Sequence, residues 1–256
     1  MVEKTGSVQA DLSVTGSNEF QAGIFLIDKP VGPTSFRVVQ QVRRALGIKK
    51  VGHAGTLDPC ASGLLVVCVG RSATRIISSL VAGEKEYEAT LKLGVTTDTL
   101  DMEGKIVEQR PVGSMERAKI EICLAGFVGE QQQVPPQFSA VKHKGKPLYH
   151  YARKGIEIVK EPRRIEITKI DCLEVGDDAT VTFRVACSKG TYIRVLAADI
   201  GESLGCGAHL IALRRLRSGP FRVEDALPGL GLLDKDPARA LLLEHLLTVE
   251  DVLGSI

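Results

Sequence analysis

The chain has 256 residues, 44% of them hydrophobic and 25% charged, with a formal net charge of +2. That length holds one large domain or two smaller ones, and the balance is that of an ordinary soluble protein. No apolar run approaches membrane-spanning length, which excludes a helical membrane protein, while the near-neutral total excludes no partner, since only the distribution of charge bears on partners.

Six cysteines, at 60, 68, 123, 172, 187 and 206, form no CxxC pair. In a chain this long they predict reduced, mostly buried thiols in a cytosolic, hence cytoplasmic, protein. Cys206 and His209 have ligand-like spacing, but no second pair completes a zinc site, so no metal is expected. Residues 1–22 lack the basic start and apolar centre of a signal peptide and read as a flexible tail.

Residues 24–28 are a short apolar strand, closed by Lys29-Pro30 and a Gly32-Pro33 turn. Thr34 or Ser35 then caps a helix to about Leu46, with Val38, Val39, Val42, Ala45 and Leu46 on one face and Arg37, Arg43 and Arg44 on the other. Next comes Gly52-His53-Ala54-Gly55-Thr56-Leu57-Asp58-Pro59, a glycine-flanked loop with one carboxylate, backed by the apolar run 64–69. Asp-Pro favours a turn, and rigid sheet behind a loop is a common way to present a reactive group. Taken alone, though, a carboxylate stabilising its own turn accounts for the pattern.

Residues 71–82 predict a short helix and 85–93 an alternating strand with Tyr87, Ala89, Leu91 and Leu93 on one side. Residues 96–104 read as a polar loop and 115–125 as a helix. Residues 134–164 differ in character: eight basic residues face two acidic ones, a local excess of six positive charges, with Phe138, Tyr149 and Tyr151 interleaved. A solvated loop fits this, and so does a surface that grips phosphates and stacks on unpaired bases. Residues 165–174 and 180–187 alternate as two strands, and 191–204 form an amphipathic helix with Tyr192 and Arg194 in its first turn. A cation there opposes the helix dipole, so a carboxylate partner is expected. A strand over 209–216 runs into Arg214, Arg215 and Arg217, after which the sequence turns acidic, with a closing helix over 237–247. Intermixed strands and helices point to an α+β sheet with helices packed on it.

Several stretches together resemble the TruB-type pseudouridine synthases. They are the segment from Gly23 to Ser35, the Asp58 loop with Ala61-Ser62-Gly63-Leu64-Leu65, Lys85-Glu86-Tyr87, and the run from Thr96 to Asp101. In the same order follow the run from Pro135 to Lys142, Gly190-Thr191-Tyr192-Ile193-Arg194, and Leu213-Arg214-Arg215 with Ser218-Gly219. The resemblance implies a pseudouridine-synthase core, a mixed and largely antiparallel sheet flanked by helices. It spans residues 23–222, with 134–164 as an RNA-binding insertion and 223–256 as a short acidic helical extension. It implies isomerisation of uridine at position 55 in the tRNA T loop, with no metal or organic cofactor and with the T-arm stem-loop as partner; no coupling to a protein partner is readable in the sequence, and a monomer is expected.

By the same resemblance Asp58 is the catalytic carboxylate and Arg194 its partner. Tyr87 stacks on the extruded base and is the candidate for taking the C5 proton, Tyr192 lines the pocket, His53 fills the space left by the flipped nucleotides, and Lys29 buttresses the site. Lys142, Lys144, Lys146, Arg153, Lys154, Arg163, Arg164, Arg214 and Arg215 are expected to contact RNA. Many relatives carry a further C-terminal RNA-binding domain of PUA type, whereas only 35 residues follow Phe221 here. Rival readings are a guide-RNA-dependent enzyme of ribosomal RNA, a tRNA-folding chaperone, and an unrelated hydrolase built on Asp58.

Overall fold

The computed structural model describes residues 21–256 apart from 140, 153, 233 and 234, with the side chains of 142, 149, 235 and 236 also outside the description. Residues 1–20 of the expected tail, Arg153 and the Lys142 side chain therefore lie outside the described residues.

The chain opens on strand β1 (Gly23–Lys29) and helix α1 (Ser35–Leu46), then passes through β2 (Val51–Ala54) into β3 (Ala61–Val69). Two short helices follow, α2 (Gly70–Arg75) and α3 (Ile77–Ala82), where periodicity predicts one; Ile76 interrupts the run at φ −92° and ψ 4°. Strand β4 (Lys85–Leu93) leads to a small hairpin of β5 (Val95–Thr97) and β6 (Ile106–Gln109), then to α4 (Arg117–Ala125) and β7 (Gly129–Gln133). The basic segment forms a second small hairpin, β8 (Lys142–His143) with β9 (Lys146–Pro147), and a short helix α5 (Leu148–Ala152). After it come β10 (Arg163–Gly176), β11 (Thr180–Cys187), α6 (Ile193–Ser203) and β12 (Ala208–Ser218). The chain closes with β13 (Phe221–Arg222), β14 (Leu227–Pro228), α7 (Lys235–Glu244) and α8 (Val249–Leu253).

One sheet of ten strands runs β14-β1-β3-β12-β4-β11-β10-β7, with β2 beside β3 and β13 beside β12. Its pairs are antiparallel except β1 with β14 and β3 with β12. The α+β class and the mixed, largely antiparallel sheet match the expectation.

Strand β3 is apolar from Leu64 to Val69 because both its faces are covered there. Leu65, Val67 and Val69 pack with α1, while Leu64, Val66 and Cys68 pack with Ala73, Leu80 and Phe221 on the other side. Strand β4 instead alternates: Tyr87, Ala89, Leu91 and Leu93 join the core formed with β11 and α6, and Glu88, Thr90 and Lys92 between them are only partly buried. Helix α1 begins where Thr34 caps it, its hydroxyl oxygen accepting from the Arg37 amide at 3.1 Å, and ends at left-handed Gly47.

The acidic extension is part of the body. Leu227, Leu232, Ala238 and Leu242 are buried in the cluster that holds Val38, Val39 and Val42 of α1. Strand β14 escaped the sequence reading because a two-residue pair ending in proline carries no alternating pattern. Leu242 is fully buried. Leu242→Ala is expected to destabilise the whole protein by about 2–5 kcal/mol in a single cooperative denaturant transition. A separate early transition would show an independently folded extension.

Candidate active site

The parallel β3–β12 pair at the middle of the sheet creates the site. It sets the turn before β3, which carries Asp58, against the arginines of β12, with Leu213 opposite Ala61 and Arg215 opposite Gly63. Antiparallel β4 on the far side of β12 places Tyr87 opposite Arg215. One cavity is lined by Asp58, Tyr87, Asp101, Tyr192, Arg194 and Arg215, with Lys85 and Ser139 at its walls.

The Asp58 turn is clamped on both sides. Ser35 is buried; its hydroxyl donates to the Leu57 carbonyl and accepts from the Leu57 amide, both at 2.9 Å. The Gly32 amide donates to the Pro59 carbonyl at 2.8 Å. From the other side Arg215 donates to the carbonyl of Gly55, a residue at φ +88° that L side chains rarely adopt. A serine read from sequence as a cap option thus spends its hydroxyl on the residue before the carboxylate, a contact 22 positions away that local pattern does not carry.

Arg194 Nη1 lies 2.9 Å from Asp58 Oδ2 and 3.3 Å from Asp101 Oδ2, and its Nη2 donates to the Phe138 carbonyl. The expected carboxylate partner at the start of α6 is therefore two carboxylates. Within the polar loop expected over residues 96–104, Asp101 is 3% exposed, its Oδ1 accepting from the Thr99 hydroxyl at 2.6 Å and the Glu103 amide at 3.1 Å. Polar composition concealed it because the Thr99 hydroxyl and the Glu103 amide that hold its carboxylate look in sequence like any other loop groups. Gln133 fixes the start of α6, its amide group accepting from the Tyr192 amide at 2.8 Å and donating to the Tyr192 carbonyl at 3.1 Å. The Tyr192 ring stands 5.8 Å from the Arg194 guanidinium carbon, a cation–π contact.

Burial raises the Asp58 carboxyl above the usual carboxylate range; Arg194 and Lys29 oppose this and the Asp101 charge adds to it. Lys29 is fully buried, donates to the carbonyls of Pro30 at 2.9 Å and Pro33 at 2.8 Å, and is pushed down by burial to about 8. Burial also pushes the Tyr87 phenol up, so it keeps its hydrogen at neutral pH. His53, on β2, has its ring nitrogen Nε2 3.2 Å from the Thr56 hydroxyl, and burial with the Arg215 charge lowers its pKa toward the neutral form.

The arginines of β12 do not act alike. Arg215 was expected at the RNA surface and is instead 1% exposed. Arg214 is half-exposed and engaged by Asp28 through a two-bond fork at 3.0 and 2.7 Å. Of the remaining basic residues, Lys144, Lys146, Lys154 and Arg163 are exposed, and Arg164 is exposed but paired with Glu130. Arg163 and Arg164 open β10, opposite Gln133 and Gln132 of the edge strand β7. Tyr151 is partly buried, its hydroxyl donating to the His143 carbonyl at 3.2 Å, so it braces the small hairpin. His209 Nδ1 lies 2.9 Å from the Val95 carbonyl, and among the described residues no His, Cys, Asp and Glu cluster is placed to hold a metal ion.

The cavity thus brings together a carboxylate paired with a buried guanidinium and two tyrosines, and known structures share the fold that holds it. A Cbf5-Nop10-Gar1 complex matches with TM-score 0.63 and 36% identity over 81% of this chain and 52% of that one. The archaeal box H/ACA sRNP Nop10-Cbf5 complex matches with TM-score 0.67 and 31% identity over 92% of this chain and 62% of that one. This chain thus spans about half to three-fifths of those proteins.

Residues 43–193 match the TruB family pseudouridylate synthase N-terminal domain, and residues 194–253 match the tRNA pseudouridylate synthase B C-terminal domain. The tRNA pseudouridine synthase B of Desulfotalea psychrophila is 58% identical over 91% of this chain and 96% of that protein. The one from Dechloromonas aromatica is 49% identical over 91% of this chain and 77% of that protein. The chain belongs to the TruB family of pseudouridylate synthases.

Proposed function

We propose that this protein isomerises uridine-55 in the T loop of tRNA to pseudouridine, with Asp58 as the catalytic carboxylate. The observation that carries the reading is the Asp58–Arg194 pair at 2.9 Å inside a cavity lined by Tyr87 and Tyr192. The base must leave its stack to reach Asp58, and Tyr87 stacks on it once flipped. Asp58 acts on the sugar, either attacking C1′ or removing the C2′ proton, and both routes need the ionised carboxylate. The N1–C1′ bond breaks, the base turns, C5 bonds to C1′, and the C5 proton leaves. His53, held neutral, fills the space of the displaced nucleotides, and buried Lys29 supports the turn that carries Ser35. The chain works as a cytoplasmic monomer on the T arm.

Lys144, Lys146, Lys154 and Arg163 are the exposed cations that meet the RNA backbone. Binding of unmodified tRNA is therefore expected to weaken linearly in log Kd against log salt, by about 0.7–0.9 per phosphate contacted. Lys144→Ala with Lys146→Ala is expected to flatten that slope without changing which uridine reacts. A salt-independent Kd would assign the segment to the solvated-loop reading.

The test of function is tritium release from C5-labelled uridine in unmodified tRNA, with the product mapped to the T loop. Release from the intact chain supports the reading. Salt-sensitive tRNA binding with no release would favour the folding-chaperone reading, and release only in the presence of a guide RNA would favour the guide-dependent one.

A further inference from the structure

Strand β7 ends at Gln133, and β10 begins at Arg163, directly opposite it. The basic segment leaves the sheet and returns to it at this pair, which is therefore its neck. Two ties brace the neck just beyond the pair. The Gln137 amide group donates to the Ile158 carbonyl at 3.2 Å and accepts from the Ile158 amide at 3.4 Å, and Lys160 donates to the Pro135 carbonyl.

Gln133 is 5% exposed, and its side chain crosses to Tyr192, the residue from which α6 starts. Tyr192 stands at φ −98° and ψ 107°, outside the helical region, and its own side chain makes no capping bond. The Gln133 side-chain oxygen accepts from the Tyr192 amide at 2.8 Å, and the side-chain nitrogen donates to the Tyr192 carbonyl at 3.1 Å. A primary amide engaged on both sides matches the donor and the acceptor of one backbone residue. It fixes where Tyr192 lies and how its backbone is turned.

Two residues further on, Arg194 holds Asp58 through Nη1 at 2.9 Å, while its Nη2 donates to the carbonyl of Phe138, beyond the neck. The arginine is thus set from both ends, its backbone by Gln133 before the neck and its fork by Phe138 after it. We propose that Gln133 is a positioning residue for the reaction: by clamping the Tyr192 backbone to the neck, it sets the reach of Arg194 to Asp58. The inference rests on the uridine-isomerase reading.

Gln133 carries no charge and does not line the cavity, so it acts through Arg194 rather than on the substrate. The charges acting on Asp58 are Arg194 of α6, Asp101 of the loop between β5 and β6, and Lys29 of β1. Cys60, Lys85, Tyr87, Lys189, Tyr192 and Arg215 share its cavity. Replacing Gln133 by another neutral residue alters none of these groups. A shift in the acid limb of the rate therefore reports that one of them has moved.

The test compares the intact chain, Gln133→Met, Arg194→Gln and the double variant. Methionine keeps the length of the side chain and removes both bonds. Melting temperature, tRNA Kd and the pH dependence of single-turnover pseudouridine formation at saturating enzyme are measured on each. Gln133→Met is expected to slow the single-turnover step about tenfold at a Kd within about twofold. Its acid limb is expected to move to higher pH, the direction expected for Arg194→Gln, because the influence that lowers the Asp58 pKa is weakened. The double variant is expected to be within about threefold of Arg194→Gln alone, because no guanidinium is left to aim. Losses that multiply, an unchanged rate, or a lower melting temperature with an unmoved limb overturn the inference. A weakened Kd with an unmoved limb also overturns it and makes Gln133 a brace of the RNA-gripping segment. If Gln133→Met does not fold, Gln133→Asn, whose shorter side chain cannot span both Tyr192 groups, is read by the same outcomes. An intact chain that makes no pseudouridine overturns the functional reading itself, a result distinct from any of these.

Discussion

Asp58→Asn is expected to leave a folded protein that binds tRNA and makes almost no pseudouridine. Asparagine keeps the size of the side chain and an oxygen for Arg194 Nη1, which lies 2.9 Å from the carboxylate. It can neither attack C1′ nor accept a C2′ proton, so the single-turnover rate should fall by at least about 10³-fold. Stability should not fall with it. The Asp58 carboxyl is raised in the folded state, mainly by burial, so its ionised form at neutral pH disfavours folding relative to an ordinary aspartate. A neutral side chain removes that penalty, and Arg194 retains Asp101. The check is C5-tritium release, tRNA Kd and melting temperature on the same preparation. Lost tRNA binding would make Asp58 a structural turn residue, the reading its loop supports when taken alone. Substantial residual release would place the chemistry on another group.

Much of this site was legible because its parts are locally punctuated. The Asp-Pro turn with glycines upstream, the apolar strand behind it, and a cation at a helix start each announce themselves within a few residues. Arg194 shows how far such reasoning reaches: its unfavourable place beside the helix dipole called for a carboxylate, and Asp58 and Asp101 both answer. What was not legible depends on contacts between distant strands. Asp101 sits in a polar run that is indistinguishable from a solvated loop until its burial is known. Arg214, Arg215 and Arg217 form one basic cluster in sequence, and only the pairing of β12 with β4, including its bulge, separates an aspartate partner, a cavity residue and a glutamate partner. Period-two alternation predicts opposite faces for neighbours but cannot place a bulge. The acidic extension was read from its charge, although its energetics lie in Leu227, Leu232, Ala238 and Leu242.

Arg194→Gln is expected to cost both rate and acid tolerance, and the direction of the pH shift identifies the titrating group. Four influences act on Asp58: burial raises its pKa most, Arg194 lowers it, Asp101 raises it, and Lys29 lowers it. Catalysis needs the ionised carboxylate, so the rate of the intact chain should fall as pH drops through a value above the ordinary 3.8. Removing Arg194 deletes the main opposing influence and leaves two carboxylates facing one cavity, so the acid limb moves to still higher pH. Asp101→Asn deletes a like charge and should move the limb the other way. At neutral pH Arg194→Gln should slow turnover by about 10²-fold or more, through lost ionisation and lost aim together. Removing one partner of a buried ion pair costs about 3–5 kcal/mol, and the lower end applies here because the Asp58 side chain keeps 42% exposure. The pH–rate profiles of the three proteins, with melting temperatures as control, provide the check. Opposite shifts for the Arg194 and Asp101 variants locate the titration at Asp58. A limb that stays in place for both would make the arginine–carboxylate cluster a structural support and assign the titrating group elsewhere.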